Sequence, residues 1–83
     1  RIPSVTYEGR VTAVKGLLLE CAGIARMLTI GDRCEVEIPR REPLVCEVVG
    51  FDQEKALLMP FSSSEGVGMG ARVKALGTAS VIF

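Results

Sequence analysis

The chain has 83 residues, enough for a single small domain over 1–83. Its 10 Lys and Arg residues balance its 10 Asp and Glu residues, and a net charge of zero argues against electrostatic attraction to nucleic acid or to an anionic membrane. The sequence contains no His, which excludes the commonest general base and metal ligand. No apolar run approaches the ~20 residues that a membrane-spanning helix needs.

Gly and Pro divide the chain into short runs rich in Val, Ile, Leu and Thr, which is typical of an all-β barrel or sandwich. The predicted strands cover 5–14, 17–21, 34–38, 44–51, 55–61 and 71–76, and a further strand begins at 79–83. Residues 23–30 are compatible with a short helical turn or with another short strand. Because an open sheet of such strands would leave its edges exposed, we predict closure into a small barrel.

Two of the predicted strands differ in how they should be covered. In the run 34–38, apolar residues alternate with Glu35 and Glu37, which predicts one face in the core and the other in water. The run 44–51 is apolar except for Glu47, which predicts a strand covered on both faces.

The three cysteines, Cys21, Cys34 and Cys46, fit neither a disulfide framework nor a CxxC metal site, because their number is odd and their spacing is wide. All three stand among apolar or strand-forming residues. We therefore predict buried, reduced thiols that act as small apolar side chains. A reducing, cytosolic compartment follows from this usage.

Three motifs suggest chemistry but lack the partners that the chemistry requires. Residues 66–70 have the spacing GxGxG, whereas a dinucleotide-binding loop needs GxGxxG between a strand and a helix, so a flexible loop with positive φ is the simpler interpretation. The serines at 62–64 have no His partner. Glu35, Glu37 and Glu47 have the pattern of a solvated strand face. We predict no catalytic, cofactor-binding or metal-binding residue in this chain.

Charged residues at outward strand positions are the remaining surface feature. Opposite charges on different flanks of one barrel can pair between neighbours in a ring. The candidate subunit-interface residues are Glu8, Arg10, Glu35, Glu37, Glu47, Arg72 and Lys74. An ordinary mixed solvated surface is the alternative interpretation for any one of them.

Nucleic-acid binding finds little support in the composition. The one Tyr and three Phe residues are not interleaved with basic residues, as stacking surfaces for single strands usually are. Arg40 and Arg41 precede an acidic residue in a Pro-bounded turn, and we do not predict that they form a basic patch.

Six runs occur in an order that is characteristic of a known family. They are residues 9–14, 16–20, 30–36, 47–51, 56–60 and 65–73. Together they resemble the N-terminal β-barrel domain of the type III secretion ATPases, a group that includes the flagellar export ATPase and is similar to the rotary ATP synthase α and β subunits. The resemblance extends from about Val5 onward. Met69 departs from it, because relatives often have Pro before the following glycine.

The resemblance implies a closed six-stranded barrel with Greek-key-like connections at the top of a hexameric ring. It also implies that the chain is a fragment of a longer ATPase that hydrolyses ATP with Mg to energise type III protein export, and we favour the flagellar system. The family's phosphate-binding loop, catalytic carboxylate and arginine finger belong to a nucleotide-binding domain expected after Phe83. No catalytic residue and no cofactor is therefore expected in this chain.

The same resemblance implies partners and a location. The expected partners are the neighbouring subunits of a homo-hexamer, together with an export regulator or chaperone, and no nucleic acid. The expected location is the bacterial cytoplasm, peripheral to the inner membrane and attached only through the export apparatus. Two other hypotheses stay open: a stand-alone barrel that binds a protein partner or single-stranded nucleic acid, and a docking site for an export regulator.

Overall fold

Short apolar runs between turn residues form six strands in a computed structural model of the chain, which describes residues 8–76. The strands are β1 (Glu8–Lys15), β2 (Leu18–Ala22), β3 (Arg33–Val36), β4 (Leu44–Asp52), β5 (Lys55–Pro60) and β6 (Arg72–Ala75). A 3₁₀ turn at Ala25–Met27 occupies the segment whose structure the sequence left ambiguous. The predicted start of the first strand, at 5–7, and the predicted strand at 79–83 lie outside the described residues.

The six strands close into one antiparallel barrel with the order β1-β2-β5-β4-β3-β6. Strands β3, β4 and β5 lie side by side, and β6 returns to lie beside β3, which is a Greek-key arrangement. β6 also pairs with β1, where Arg72 lies opposite Arg10, and this ladder closes the barrel. The predicted all-β, closed six-stranded barrel with Greek-key-like connections is confirmed.

The interior of the barrel is filled by small and medium-sized apolar side chains from alternate strand positions. The core residues are Val11, Leu19, Cys21, Ile24, Leu28, Cys34, Val36, Ile38, Leu44, Cys46, Val48, Ala56, Leu58 and Val73. This set contains no aromatic residue, and Phe51 and Phe61 are instead exposed. Every strand contributes at least one side chain to the core, so the interior of the barrel is packed. Binding to another molecule would therefore use the outer surface.

The prediction that β4 is covered on both faces was wrong. Leu44, Cys46 and Val48 point into the barrel and are buried, whereas Val49 is 40% exposed. In a closed barrel one face of each strand lines the interior and the other faces outward. The alternation is not visible in the sequence because outward residues of β4 such as Val45 and Val49 are also apolar. The outer side of β4 is therefore partly apolar.

β3 is shorter than predicted and ends at Val36. Pro39 has no N–H for a strand ladder and restricts the residue before it, so regular pairing cannot extend through this segment. The alternation nevertheless continues, because Ile38 is buried and the N–H of Glu37 donates to the carbonyl of Arg72 at 2.9 Å. The predicted half-buried pattern is therefore confirmed beyond the end of the strand.

The loop at 62–70 contains glycines with positive φ, as predicted. Gly66 has a φ of 94° and Gly70 a φ of 80°. The N–H of Gly70 donates to the carbonyl of Val11 at 2.8 Å, and Val67 packs against the core. The loop is thus attached to β1 and to the core, and it forms a defined part of the surface.

Candidate interaction surface

The seven predicted interface residues lie on the outer surface of neighbouring strands, and none of them is buried. Glu8 and Arg10 lie on β1, Arg72 and Lys74 on β6, and Glu47 on β4. Glu35 lies on β3, and Glu37 directly follows the end of that strand. Because β1, β6, β3 and β4 are consecutive in the barrel, these residues form one continuous surface, which we call the charged face. β1 and β4 are three strands apart among six, so its two ends lie on opposite sides of the barrel.

Four residues of the charged face form ion pairs within the chain. The Glu8 carboxylate lies 3.4 Å from the Arg72 Nε, and the Glu37 carboxylate lies 3.6 Å from the Lys74 Nζ. Exposed pairs of this kind typically contribute about 0–1 kcal/mol. They compensate charge locally, and their role in contacts between subunits stays a prediction.

A second surface, which was not predicted from the sequence, lies on the outer side of β4 and β5. We call it the apolar face; it consists of Val45, Val49, Met59 and Phe61, with Glu47 opposite Met59 in the strand register. Met59 is 42% and Phe61 53% exposed. The signal was available, because Met59 and Phe61 occupy the alternate positions to the inward-facing Leu58. The Arg33 guanidinium lies 4.9 Å from the Phe61 ring centre, a cation–π contact at the edge of this face.

A groove with a volume of about 520 Å³ lies between the β3–β4 connection and the loop that leads into β6. Its charged lining consists of Arg10, Arg41, Arg72 and Glu37. Arg41, which was not predicted to form part of a basic patch, lines the same groove as Arg10 from β1 and Arg72 from β6.

The described residues contain neither a metal-binding cluster nor a membrane-spanning helix. In the range 8–76, no group of three or more His, Cys, Asp or Glu side chains is placed to hold a metal ion. No helix of that range is long and apolar enough to cross a bilayer. Ser63, one of the three consecutive serines, accepts the N–H of Glu65 at 3.0 Å with its hydroxyl oxygen.

Glu20 is the one charged residue that is buried among those described, and it lies on the outer side of β2 beneath two lysines. The Thr12 hydroxyl donates to its carboxylate at 2.7 Å, and the ammonium groups of Lys15 and Lys55 lie 3.0 and 3.6 Å away. The hydrogen bond from Thr12, followed by that from Lys15, lowers the pKa of Glu20 below its ordinary value of 4.5. The same carboxylate raises the pKa of Lys15 above 10.5.

We expect Glu20→Gln to destabilise the barrel most at neutral pH. A lowered carboxylate pKa stabilises the folded state above pH 4.5, and this contribution is lost as the pH falls through the folded-state value. The raised pKa of Lys15 stabilises the folded state below pH 10.5, and this contribution is lost as the pH rises through the folded-state value. The difference in melting temperature between wild type and variant should therefore shrink toward both extremes. Thermal unfolding across pH tests this, with the exposed Glu42→Gln as the charge-matched control.

The three cysteines lie inside the barrel with 0% exposure, and Cys34 faces Cys46 directly across β3 and β4. All three are free thiols, so the prediction of buried thiols is confirmed. Burial raises the pKa of Cys21 and Cys46 to about 12 and that of Cys34 to about 11. Because the thiolate is the reactive form, these side chains are inert while the barrel is folded.

Thiol modification should report directly on unfolding. We expect a maleimide or a disulfide reagent to modify the folded chain at least about a hundredfold more slowly than the urea-unfolded chain, because reaction requires opening of the barrel. Mass spectrometry after timed quenching counts the modified cysteines. Rapid modification of any single cysteine in the folded chain would contradict the closed interior.

A closed Greek-key barrel whose outer residues divide into a charged face and an apolar face defines a class of protein: a small β-barrel domain with two different outer faces. Residues 11–77 match the ATP synthase alpha/beta family, beta-barrel domain, and the chain belongs to this family. The resemblance to the N-terminal barrels of type III secretion and flagellar ATPases is thereby confirmed.

Relatives of two kinds are similar to the chain. It is 46% identical over 82 residues to a flagellum-specific ATP synthase of Caulobacter vibrioides, covering 99% of the chain and 18% of that protein. It is 42% identical over 76 residues to a type 3 secretion system ATPase of Pseudomonas syringae pv. tomato, covering 92% of the chain and 16% of that protein. It is 39% identical over 77 residues to a flagellum-specific ATP synthase of Salmonella typhimurium, covering 89% of the chain and 16% of that protein. The chain thus spans less than a fifth of these relatives.

Proposed function

We propose that this chain is the N-terminal barrel of a hexameric ATPase that energises type III protein export, and that the barrel holds neighbouring subunits together in the ring. The observation that carries the proposal is the 46% identity, over 99% of the chain, to a protein named flagellum-specific ATP synthase. The relative with 46% identity is flagellum-specific, and on this match alone we favour the flagellar system. The other identities of the two kinds overlap, at 42% for a type 3 secretion system ATPase and 39% for a second flagellum-specific ATP synthase.

The two outer faces suit a ring. A ring of identical subunits needs heterologous contacts, in which one face of a subunit meets a different face of the next. The β6–β1 side of the charged face and the apolar face on β4–β5 lie on opposite sides of the barrel, because the strand order places β6 across from β5 and β1 across from β4. Closure of the barrel leaves no free strand edge, so side chains make the contacts.

ATP and Mg, which the proposed parent requires, do not fit the residues of this chain. The loop at 66–70 has the spacing GxGxG and leads into strand β6, whereas phosphate-binding loops lead into a helix whose N-terminus faces the anion. We assign nucleotide chemistry to the rest of the parent protein. A cytoplasmic position at the inner membrane, held by the export apparatus and contacted by a regulator or chaperone, belongs to the same proposal.

The proposal is tested in the full-length protein by measuring its molar mass with light scattering. Met59→Lys places a charge in the apolar face, and Arg72→Glu reverses a charge on the opposite side. Each is expected to weaken hexamer formation on the order of tenfold. Met59→Lys would bury an unpaired charge in the contact, and Arg72→Glu would reverse a charge there and leave Glu8 without its ion-pair partner. Leu17→Lys is the matched control, since Leu17 is 79% exposed at the tip of the β1–β2 hairpin.

The control variant should remain hexameric at all concentrations at which the wild type does. Circular dichroism of each variant checks that the barrel is folded. Hexamers of unchanged mass for both Met59→Lys and Arg72→Glu would contradict the proposed use of the two faces.

A further inference from the structure

The arginine groove is built from three parts of the chain. β1 contributes Arg10, the β3–β4 connection contributes Arg41, and β6 contributes Arg72. Pro39, Pro43 and Met69 add apolar lining. A volume of about 520 Å³ lies within the range of about 300–1,000 Å³ that is usual for ligand sites. The groove is therefore large enough for several side chains of a bound molecule.

Two of the guanidinium groups are held by neutral partners. Arg10 donates to the carbonyl of Gly70 at 3.1 Å, and Arg41 donates to the carbonyl of Glu65 at 3.3 Å. A carbonyl orients a guanidinium without cancelling its charge. Among the residues that the structure describes, neither Arg10 nor Arg41 has a carboxylate within 4 Å. Their charges are thus fixed in position and uncompensated.

The strand register adds repulsion to this arrangement. Arg10 lies directly opposite Arg72 on the antiparallel strands β1 and β6, and like charges at opposite positions are unfavourable. Arg72 forms an ion pair with Glu8 at 3.4 Å. Glu37, the acidic residue of the groove, forms an ion pair with Lys74. A negatively charged ligand would relieve the excess of positive charge that remains.

We propose that this groove binds an acidic, extended peptide segment of a partner protein. The planar guanidinium matches a carboxylate in a two-point hydrogen bond, and three guanidiniums around one groove suit carboxylates spaced along a peptide. Met69, which is 68% exposed, and the two prolines offer adaptable apolar contact to the intervening side chains. A peptide is favoured over a membrane or nucleic acid because the site is concave and the chain as a whole has no net charge.

The test uses the 83-residue chain and a short fluorescein-labelled peptide of alternating Glu and Leu, with binding followed by fluorescence anisotropy. Arg10→Gln and Arg41→Gln are each expected to weaken binding on the order of tenfold. Arg26→Gln is the matched control: it removes the same charge at a site outside the groove, where the side chain is 83% exposed, and should change affinity less than about twofold. Circular dichroism checks that all variants are folded.

Three results would overturn the proposal. The first is equal weakening by Arg26→Gln and the groove variants, which would mean non-specific attraction to charge. The second is equal binding of a peptide with Gln in place of every Glu. The third is tighter binding to phosphatidylglycerol vesicles or to single-stranded oligothymidine than to the acidic peptide. Arg10 and Arg72 also belong to the charged face, so a bound peptide and a neighbouring subunit would compete for this surface. Peptide binding is measured on the 83-residue chain and ring assembly on the full-length protein, so either proposal can fail without the other.

Discussion

Replacing Gly9 with Ala is expected to lower the free energy of unfolding by about 1–3 kcal/mol, the usual cost of forcing an extra methyl group into a packed site. A Cβ at this position would lie against the carbonyl oxygen of Ala22, 2.9 Å from the Cys21 sulfur and 3.0 Å from an Ile24 carbon. The carbonyl belongs to the backbone of the neighbouring strand and cannot rotate away. The absence of a side chain at Gly9 therefore allows β1 to pass close to the end of β2.

Urea unfolding followed by circular dichroism measures this effect. Gly68→Ala is the matched control, because a Cβ there would meet nothing within 4 Å and the backbone is outside the positive-φ region. The control should change the unfolding free energy by no more than about 0.5 kcal/mol. Equal stability of Gly9→Ala and the wild type would mean that β1 and β2 lie further apart than described.

Leu58→Ala is expected to cost about 2–5 kcal/mol, the usual range for removing a fully buried leucine. Leu58 has no exposed surface and faces Leu19 and Val48 across the neighbouring strands. The interior of a small barrel cannot collapse readily around the cavity, since backbone hydrogen bonds on both sides hold the strand. For a domain of this size, such a loss is a large share of the total stability.

The adjacent residue supplies the control for this prediction. Leu57 is next in the chain but points to the outer side and is only partly buried. Leu57→Ala removes the same atoms and should cost less than half as much in the same urea titration. A larger loss of unfolding free energy for Leu57→Ala than for Leu58→Ala would mean that Leu57, and not Leu58, points into the barrel.

The strands were predictable from the sequence because their periodicity is local. The alternation around Glu35 and Glu37 required no knowledge of neighbouring strands, and the turns followed from Gly and Pro. The barrel order was not predictable in this way, since pairing β2 with β5 and β6 with β1 depends on contacts between distant segments. The family resemblance implied a closed six-stranded barrel with Greek-key-like connections but did not supply the order of its strands. β4 was misjudged because its outward residues are also apolar, which periodicity alone cannot separate from burial on both faces.

The surfaces were less predictable than the strands. The outward position of the charged residues followed from alternation, but their order around the barrel required the register. Arg10, Arg41 and Arg72 are far apart in the sequence, and only closure of β6 onto β1, together with the position of the β3–β4 connection, brings them to one groove. An Arg in a turn carries no sign of such neighbours, so a role for Arg41 was not predictable from the sequence.

The central claim is that this barrel holds the subunits of an export ATPase together. Light scattering on the full-length protein, with and without residues 8–76, tests it most directly. We predict that the intact protein forms hexamers and that the deletion variant, with its ATPase domain still folded by circular dichroism, remains monomeric or forms smaller species at the same concentration. Hexamers of undiminished stability in the deletion variant would contradict the account.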